Sequence, residues 1–161
     1  ANFSEILYHV EKPKVAAYQV EGGDEILMDA AATSSEAVAQ APTEDPIQVL
    51  LASADLDKGK KVFKKCSQCH VMEKGGANKI GPGLWNIVNK DIGSKDDYKY
   101  SSAMAAFEGD WTFEQLNSYL INPKKYIQGT KMSFVGLKKA KDRANVILYL
   151  RSFSDNPAPI E

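Results

Sequence analysis

Both cysteines of this 161-residue chain fall within one pentapeptide, Cys66-Ser67-Gln68-Cys69-His70. Two thiols at this spacing can each form a thioether to one vinyl group of a porphyrin, and the imidazole that follows then lies against the iron as an axial ligand. Competing chemistries lack parts. A zinc site needs two further ligands, and the other histidine, His9, is far away in sequence. A thioredoxin-like pair opens a helix beside a βαβ pattern, whereas the helical signal here, residues 58–65, leads into the cysteines. A disulfide between Cys66 and Cys69 would close too small a loop to stabilise much. The motif therefore predicts one haem c, covalent through Cys66 and Cys69.

An iron held in this way has a second axial position to fill, and the chain offers Met28, Met72, Met104 and Met132. Met72 sits too close to His70 to reach the opposite face. Met28 lies in a stretch that reads as linker. Met104 falls in an Ala-rich run, residues 101–107, where a packed core methionine is as good a reading. Met132, on a loop after Gly129, has the sequence distance and freedom to arrive from the other side, and His9 is the remaining alternative. A thioether opposite an imidazole favours ferrous iron and leaves no vacancy for oxygen or peroxide, so such a centre passes electrons.

These residues need elements to position them. Ser53 or Asp55 can cap a helix running through Gly59 and Phe63 to Cys66. Thr112-Phe113-Glu114-Gln115 has the spacing of a helix-opening capping box, and Asn122-Pro123 places proline at a first helical position. Residues 139–154 carry Val146, Leu150 and Phe153 on one apolar face. No alternating pattern of strand length occurs. The expected fold class is all-α with long irregular loops over residues 53–161, the porphyrin supplying much of the apolar centre that a small domain lacks.

Ahead of that domain the composition changes. Phe3, Ile6, Leu7 and Val10 have the spacing of one helical face, so residues 1–22 read as a juxtamembrane or docking segment. Residues 23–52 read as an acidic, Ala/Ser/Pro-rich linker with too little apolar surface to fold alone at its centre. Charge divides the same way. Residues 1–54 hold nine acidic side chains against Lys12 and Lys14, a net −7, and the remainder holds twelve acids and eighteen bases, a net +6. No apolar run approaches the length that crosses a bilayer. Haem attachment to this motif takes place outside the cytoplasm, which places the domain in a periplasm or an intermembrane space.

Taken together, residues 55–154 resemble class I cytochrome c. The resemblance rests on Cys66-Ser67-Gln68-Cys69-His70, Glu73-Lys74-Gly75-Gly76, Gly81-Pro82, Trp111 and the run from Asn122-Pro123 through Gly129-Thr130-Lys131-Met132. The acidic leader, residues 102–111 and Asp142-Arg143-Ala144-Asn145 are similar to the bacterial membrane-anchored branch. The resemblance implies the class I cytochrome c fold around one haem, preceded by an extended arm and linker. It implies a periplasmic location, with the domain tethered to the inner membrane by an anchor absent from this chain.

For individual residues it implies His70 and Met132 as the iron ligands and the Pro82 carbonyl on the second nitrogen of His70. It places Tyr100 and Trp111 at a haem propionate, and Tyr119 and Thr130 on the methionine side. Gly59, Phe63, Val146 and Tyr149 fit a crossing of the two terminal helices. Two positions depart from the pattern: Lys90 stands where an arginine is common near a propionate, and Met104 where an asparagine is common.

Lys65, Lys79, Lys124, Lys125, Lys131, Lys138 and Lys139, with Phe134, belong to segments expected to frame the haem edge, and they predict docking onto acidic protein surfaces by long-range steering. In the family those surfaces are a cytochrome bc1 complex as donor and a cytochrome c oxidase of the haem-copper type as acceptor. Nucleic acid is a poor partner, because no nucleic-acid module accompanies the basic residues. The expected protein is a monomeric, non-enzymatic one-electron carrier. Rival readings are a haem subunit held permanently in a respiratory complex and a peroxidase-like enzyme.

Overall fold

The structure, a computed structural model, describes residues 45–160. The docking segment over residues 1–22, His9, Met28 and the acidic stretch up to residue 44 lie outside the described residues. Within them the chain forms α1 (Ile47–Ala52), α2 (Leu56–Phe63), α3 (Ser102–Ala105), α4 (Phe113–Ile121), α5 (Pro123–Tyr126) and α6 (Ala140–Arg151). No strand occurs among the described residues, and one isolated antiparallel bridge joins Asp91 to Asp110. The all-α expectation for this part of the chain holds.

Short polar caps start four of these helices. The Asp55 carboxylate accepts from the Lys58 amide and opens α2, Ser101 accepts from Met104 and opens α3, Thr112 accepts from Gln115 and opens α4, and Asn122 accepts from Lys125 and opens α5. Each cap satisfies an amide that the first helical turn leaves without a partner. Past Phe63 the chain keeps turning, with the Cys66 amide bonded to the Phe63 carbonyl at 2.8 Å and the His70 amide to the Cys66 carbonyl at 3.0 Å. The cysteines thus sit on turns that continue α2 rather than on the helix itself.

The core forms where α2 and α6 cross. A Cβ on Gly59 would overlap the Asn145 carbonyl and stand 2.8 Å from the Tyr149 Cβ, so any larger residue would push the helices apart. The Asn145 side chain also accepts the Asp55 amide at 2.9 Å, and the Phe63 and Tyr149 rings pack with centroids 5.4 Å apart. Val146 and Ile147 are almost wholly buried on the same helix.

One element departs from the sequence reading. Residues 47–52, expected to close the linker that ends at residue 52, form α1, with Ile47 and Leu51 buried one turn apart and the helix packed on both α4 and α6. A six-residue helix is too short to stand alone, because nucleation costs more than so few hydrogen bonds return. It exists through its burial on the domain, which composition does not reveal.

Candidate functional site

Cys66, Cys69 and His70 are half-buried on the turns after α2. Burial pushes the Cys66 thiol up to about 11, against the lowering effect of Lys65. The free thiol is therefore neutral at physiological pH and a weak nucleophile where it stands. His70 Nδ1 donates to the Pro82 carbonyl at 2.8 Å. Burial also holds the imidazole below its ordinary range, with the Pro82 bond opposing it, so the ring is neutral and its Nε2 keeps a lone pair for a metal.

A second layer fixes that ring. The Gly81 amide donates to the Cys69 carbonyl at 2.9 Å, and the Leu84 amide to the Val71 carbonyl at 2.8 Å, so residues 81–84 lie alongside residues 69–71. A Cβ on Gly81 would come within 2.7 Å of His70 Nδ1 and 2.9 Å of Nε2. Only glycine leaves the imidazole its place. Asn78 accepts from the Gly83 amide at 2.9 Å and from Lys95 Nζ at 3.2 Å, and donates to the Asp97 carbonyl at 2.8 Å. Tyr98 donates to the Ile80 carbonyl at 2.7 Å. Asn78, Lys95 and Tyr98 were not singled out in the sequence, where a loop polar residue carries no periodic signal.

A second set of predicted residues converges on Met132. Tyr119, buried on α4, points its hydroxyl at Met132 Sδ, 3.2 Å away, and at Thr130 Oγ1, 3.3 Å away. Burial raises the Tyr119 hydroxyl above its ordinary range despite the Thr130 bond, which keeps it protonated and able to donate. The Met132 amide in turn donates to Thr130 Oγ1 at 3.3 Å. Trp111 is buried against Tyr119, centroids 4.8 Å apart, and its amide bonds the Lys90 carbonyl at 2.8 Å. Lys90 therefore neighbours Trp111. Tyr100 is half-buried and stacks edge-on with Tyr98, and burial raises its hydroxyl too. Lys131 Nζ donates to the Lys99 carbonyl at 2.9 Å, joining the Met132 loop to the Tyr100 segment. Met104 is buried in the core, in keeping with the packing reading of that residue.

The donor set fits a haem. It combines two thiols, a neutral imidazole with Nε2 uncommitted to the Pro82 bond, and a thioether presented by a tyrosine. The aromatic rings of Trp111, Tyr119, Tyr126 and Phe107 follow one another at contact distance beside it. Lys65, Lys79, Lys124, Lys125, Lys131, Lys138 and Lys139 are all exposed, and Phe134 is half-buried. Among the described residues no ion pair engages any of the seven lysines.

No helix among the described residues is long and apolar enough to cross a membrane. The cytochrome c family model matches residues 56–154. The chain is 43% identical over 126 residues to a cytochrome c homolog of Bradyrhizobium diazoefficiens, an alignment covering 78% of this chain and 68% of that protein. It is 43% identical over 121 residues to a cytochrome c homolog of Rickettsia bellii, covering 72% of this chain and 70% of that one. A cytochrome c of Gibberella zeae is 49% identical over 102 residues, 63% of this chain and 96% of its own length. The two thiols of Cys66 and Cys69 are the attachment points for covalent haem c. The chain belongs to the cytochrome c family, as a haem-based electron carrier of the class I, all-α type.

Proposed function

We propose that His70 and Met132 are the axial ligands of the haem iron, and that the chain carries single electrons from a cytochrome bc1 complex to a haem-copper oxidase in the periplasm. The observation that carries the reading is the thioether of Met132 held by the Tyr119 hydroxyl at 3.2 Å, with the Tyr119 ring packed on Trp111. Haem supplies a one-electron store at its iron. The chain does the rest. Pro82 holds His70 in the tautomer that leaves Nε2 for the iron. Met132, soft and uncharged, favours the ferrous state, and Tyr119 orients its sulfur. With His70 and Met132 both holding the iron, oxygen and peroxide would have no site, which favours a carrier over a peroxidase-like enzyme.

The seven exposed lysines, unpaired by acids of the described residues, support a transient partner with an acidic face over a permanent subunit interface. Residues 1–22 are proposed as a juxtamembrane or docking segment and residues 23–52, which end in α1, as the linker that joins it to the domain, with an anchor outside this chain tethering both to the inner membrane. The test is the optical spectrum of the ferric protein, where a weak far-red band marks a methionine sulfur on iron. The band should be present and should vanish in Met132→Ala. A high-spin ferric protein without it would replace the carrier reading with an open, enzymatic iron site. Oxidation by a haem-copper oxidase should also slow steeply with added salt; a salt-independent rate would remove the lysines from the docking surface.

A further inference from the structure

The most deeply buried charge among the described residues is not at the haem attachment motif. Arg143, on α6, is 1% exposed. Its Nη1 donates to two successive carbonyls, Leu137 and Lys138, each at 2.9 Å, and its Nε donates to Asn117 Oδ1 at 2.7 Å. Burying a guanidinium is costly unless its donors are used, so this geometry is maintained against a desolvation penalty. These three acceptors tie two places together: Asn117 on α4, two residues before Tyr119, and the downstream end of the loop that carries Met132.

That end of the loop is held from both sides. The Leu137 amide donates to the Leu120 carbonyl of α4 at 2.7 Å while the Leu137 carbonyl accepts from Arg143. Gly136, at φ 95, lies so close to α4 that a Cβ there would stand 2.7 Å from the Ile121 carbonyl carbon. Between this anchor and Met132 the chain is held by side chains such as Phe134, packed against the core, and not by its backbone. Among the described residues no backbone hydrogen bond reaches residues 133–136, and Val135 is 85% exposed. The length of free chain beyond Met132 is therefore set by the anchor at Leu137, which the Leu120 carbonyl and Arg143 hold together.

We propose that Arg143 is the positioning residue for Met132: by clamping the 137–138 carbonyls to α4 and α6 it holds the thioether against exchange at the iron. The proposal rests on the reading of Met132 as a ligand. Without the clamp the Leu137–Leu120 bond holds the loop end alone, that end opens more easily, the loop gains entropy when the sulfur leaves, and a competing ligand displaces it more readily. The rigid fork matters as much as the charge, because lysine cannot bond two adjacent carbonyls and Asn117 at once.

The test is a titration of the ferric holoprotein with imidazole, followed by loss of the far-red band. Arg143→Lys should bind imidazole at least about tenfold more tightly than wild type, the equivalent of one charge-assisted hydrogen bond. Phe153→Leu, which loosens packing at the far end of α6, should leave the imidazole affinity unchanged even where it lowers the unfolding midpoint equally. If Arg143→Lys yields no holoprotein, Asn117→Ala decides by the same comparison, with an expected increase of about threefold. Affinity equal to wild type in the deciding variant, or an equal rise in Phe153→Leu, would overturn the clamp while leaving Met132 as ligand. A wild type without the far-red band would instead remove the ligand reading, and the clamp with it.

Discussion

The segments around His70 and around Met132 are built differently. On the His70 side, every few residues are bonded to a neighbouring segment: Gly81 to Cys69, Leu84 to Val71, His70 to Pro82 and Gly83 to Asn78. On the Met132 side, the sulfur is held by one tyrosine, the loop is gripped at residues 137–138, and the backbone between carries no such bonds among the described residues. The first side is rigid through many short-range bonds. The second is positioned at its ends. In the proposed carrier both would serve, with His70 fixed by the covalent motif and Met132 left to set the potential.

Substitutions can break this contrast, and Met132→Ala should have the largest effect. It should lower the reduction potential by on the order of 0.2 V, a substantial part of the range that axial ligands control, as measured by redox titration. A change of only a few tens of millivolts would mean that another residue ligates the iron. Gly81→Ala attacks the rigid side. The added methyl would crowd the His70 ring, and since the bonds around it prevent relaxation, about 2–3 kcal/mol of stability should be lost in denaturant unfolding. The far-red band should survive in the folded fraction; its loss would show that the two sides are mechanically coupled.

Tyr119→Phe is a finer probe of the looser side. Removing the donor leaves more electron density on the sulfur, which stabilises ferric iron, so the potential should fall by roughly 20–60 mV, the one-electron equivalent of one modest hydrogen bond. A rise would place the effect in loop position rather than in sulfur basicity. The smallest effect is expected away from both sides. The Asp110 carboxyl lies above the ordinary 3.8, chiefly through a shared hydrogen bond with Asp91, then through desolvation and like charge. A raised acid contributes stability that is complete below 3.8 and is lost as pH rises through its folded value. Asp110→Asn should remove that loss, which urea midpoints from acid to neutral pH would show; parallel curves for both proteins would dismiss the pair.

Legibility followed distance along the chain. The caps at Thr112 and Asn122 each bond an amide three residues on, so the sequence spacing contains the whole interaction. Helix α1 escaped notice because Ile47 and Leu51 have meaning only against α4 and α6, more than sixty residues away. Asn78 and Lys95 carry no periodic signal, and Arg143 stood out only within the resemblance, since nothing local says that a polar side chain will be buried. Gly81-Pro82 was legible as a motif through the resemblance, but not the methyl-sized gap that the His70 ring occupies.

By itself, the sequence determined the covalent chemistry, because two thiols and an imidazole in one pentapeptide define the attachment whatever surrounds them, and it determined the capped helices, because their bonds close within a single turn. Tertiary structure alone decided which side chains restrain the Met132 loop, that residues 47–52 pack as a helix on α4 and α6, and that Arg143 lies in the interior. Those outcomes depend on contacts between segments far apart in the chain, where burial, and not spacing, selects the partner.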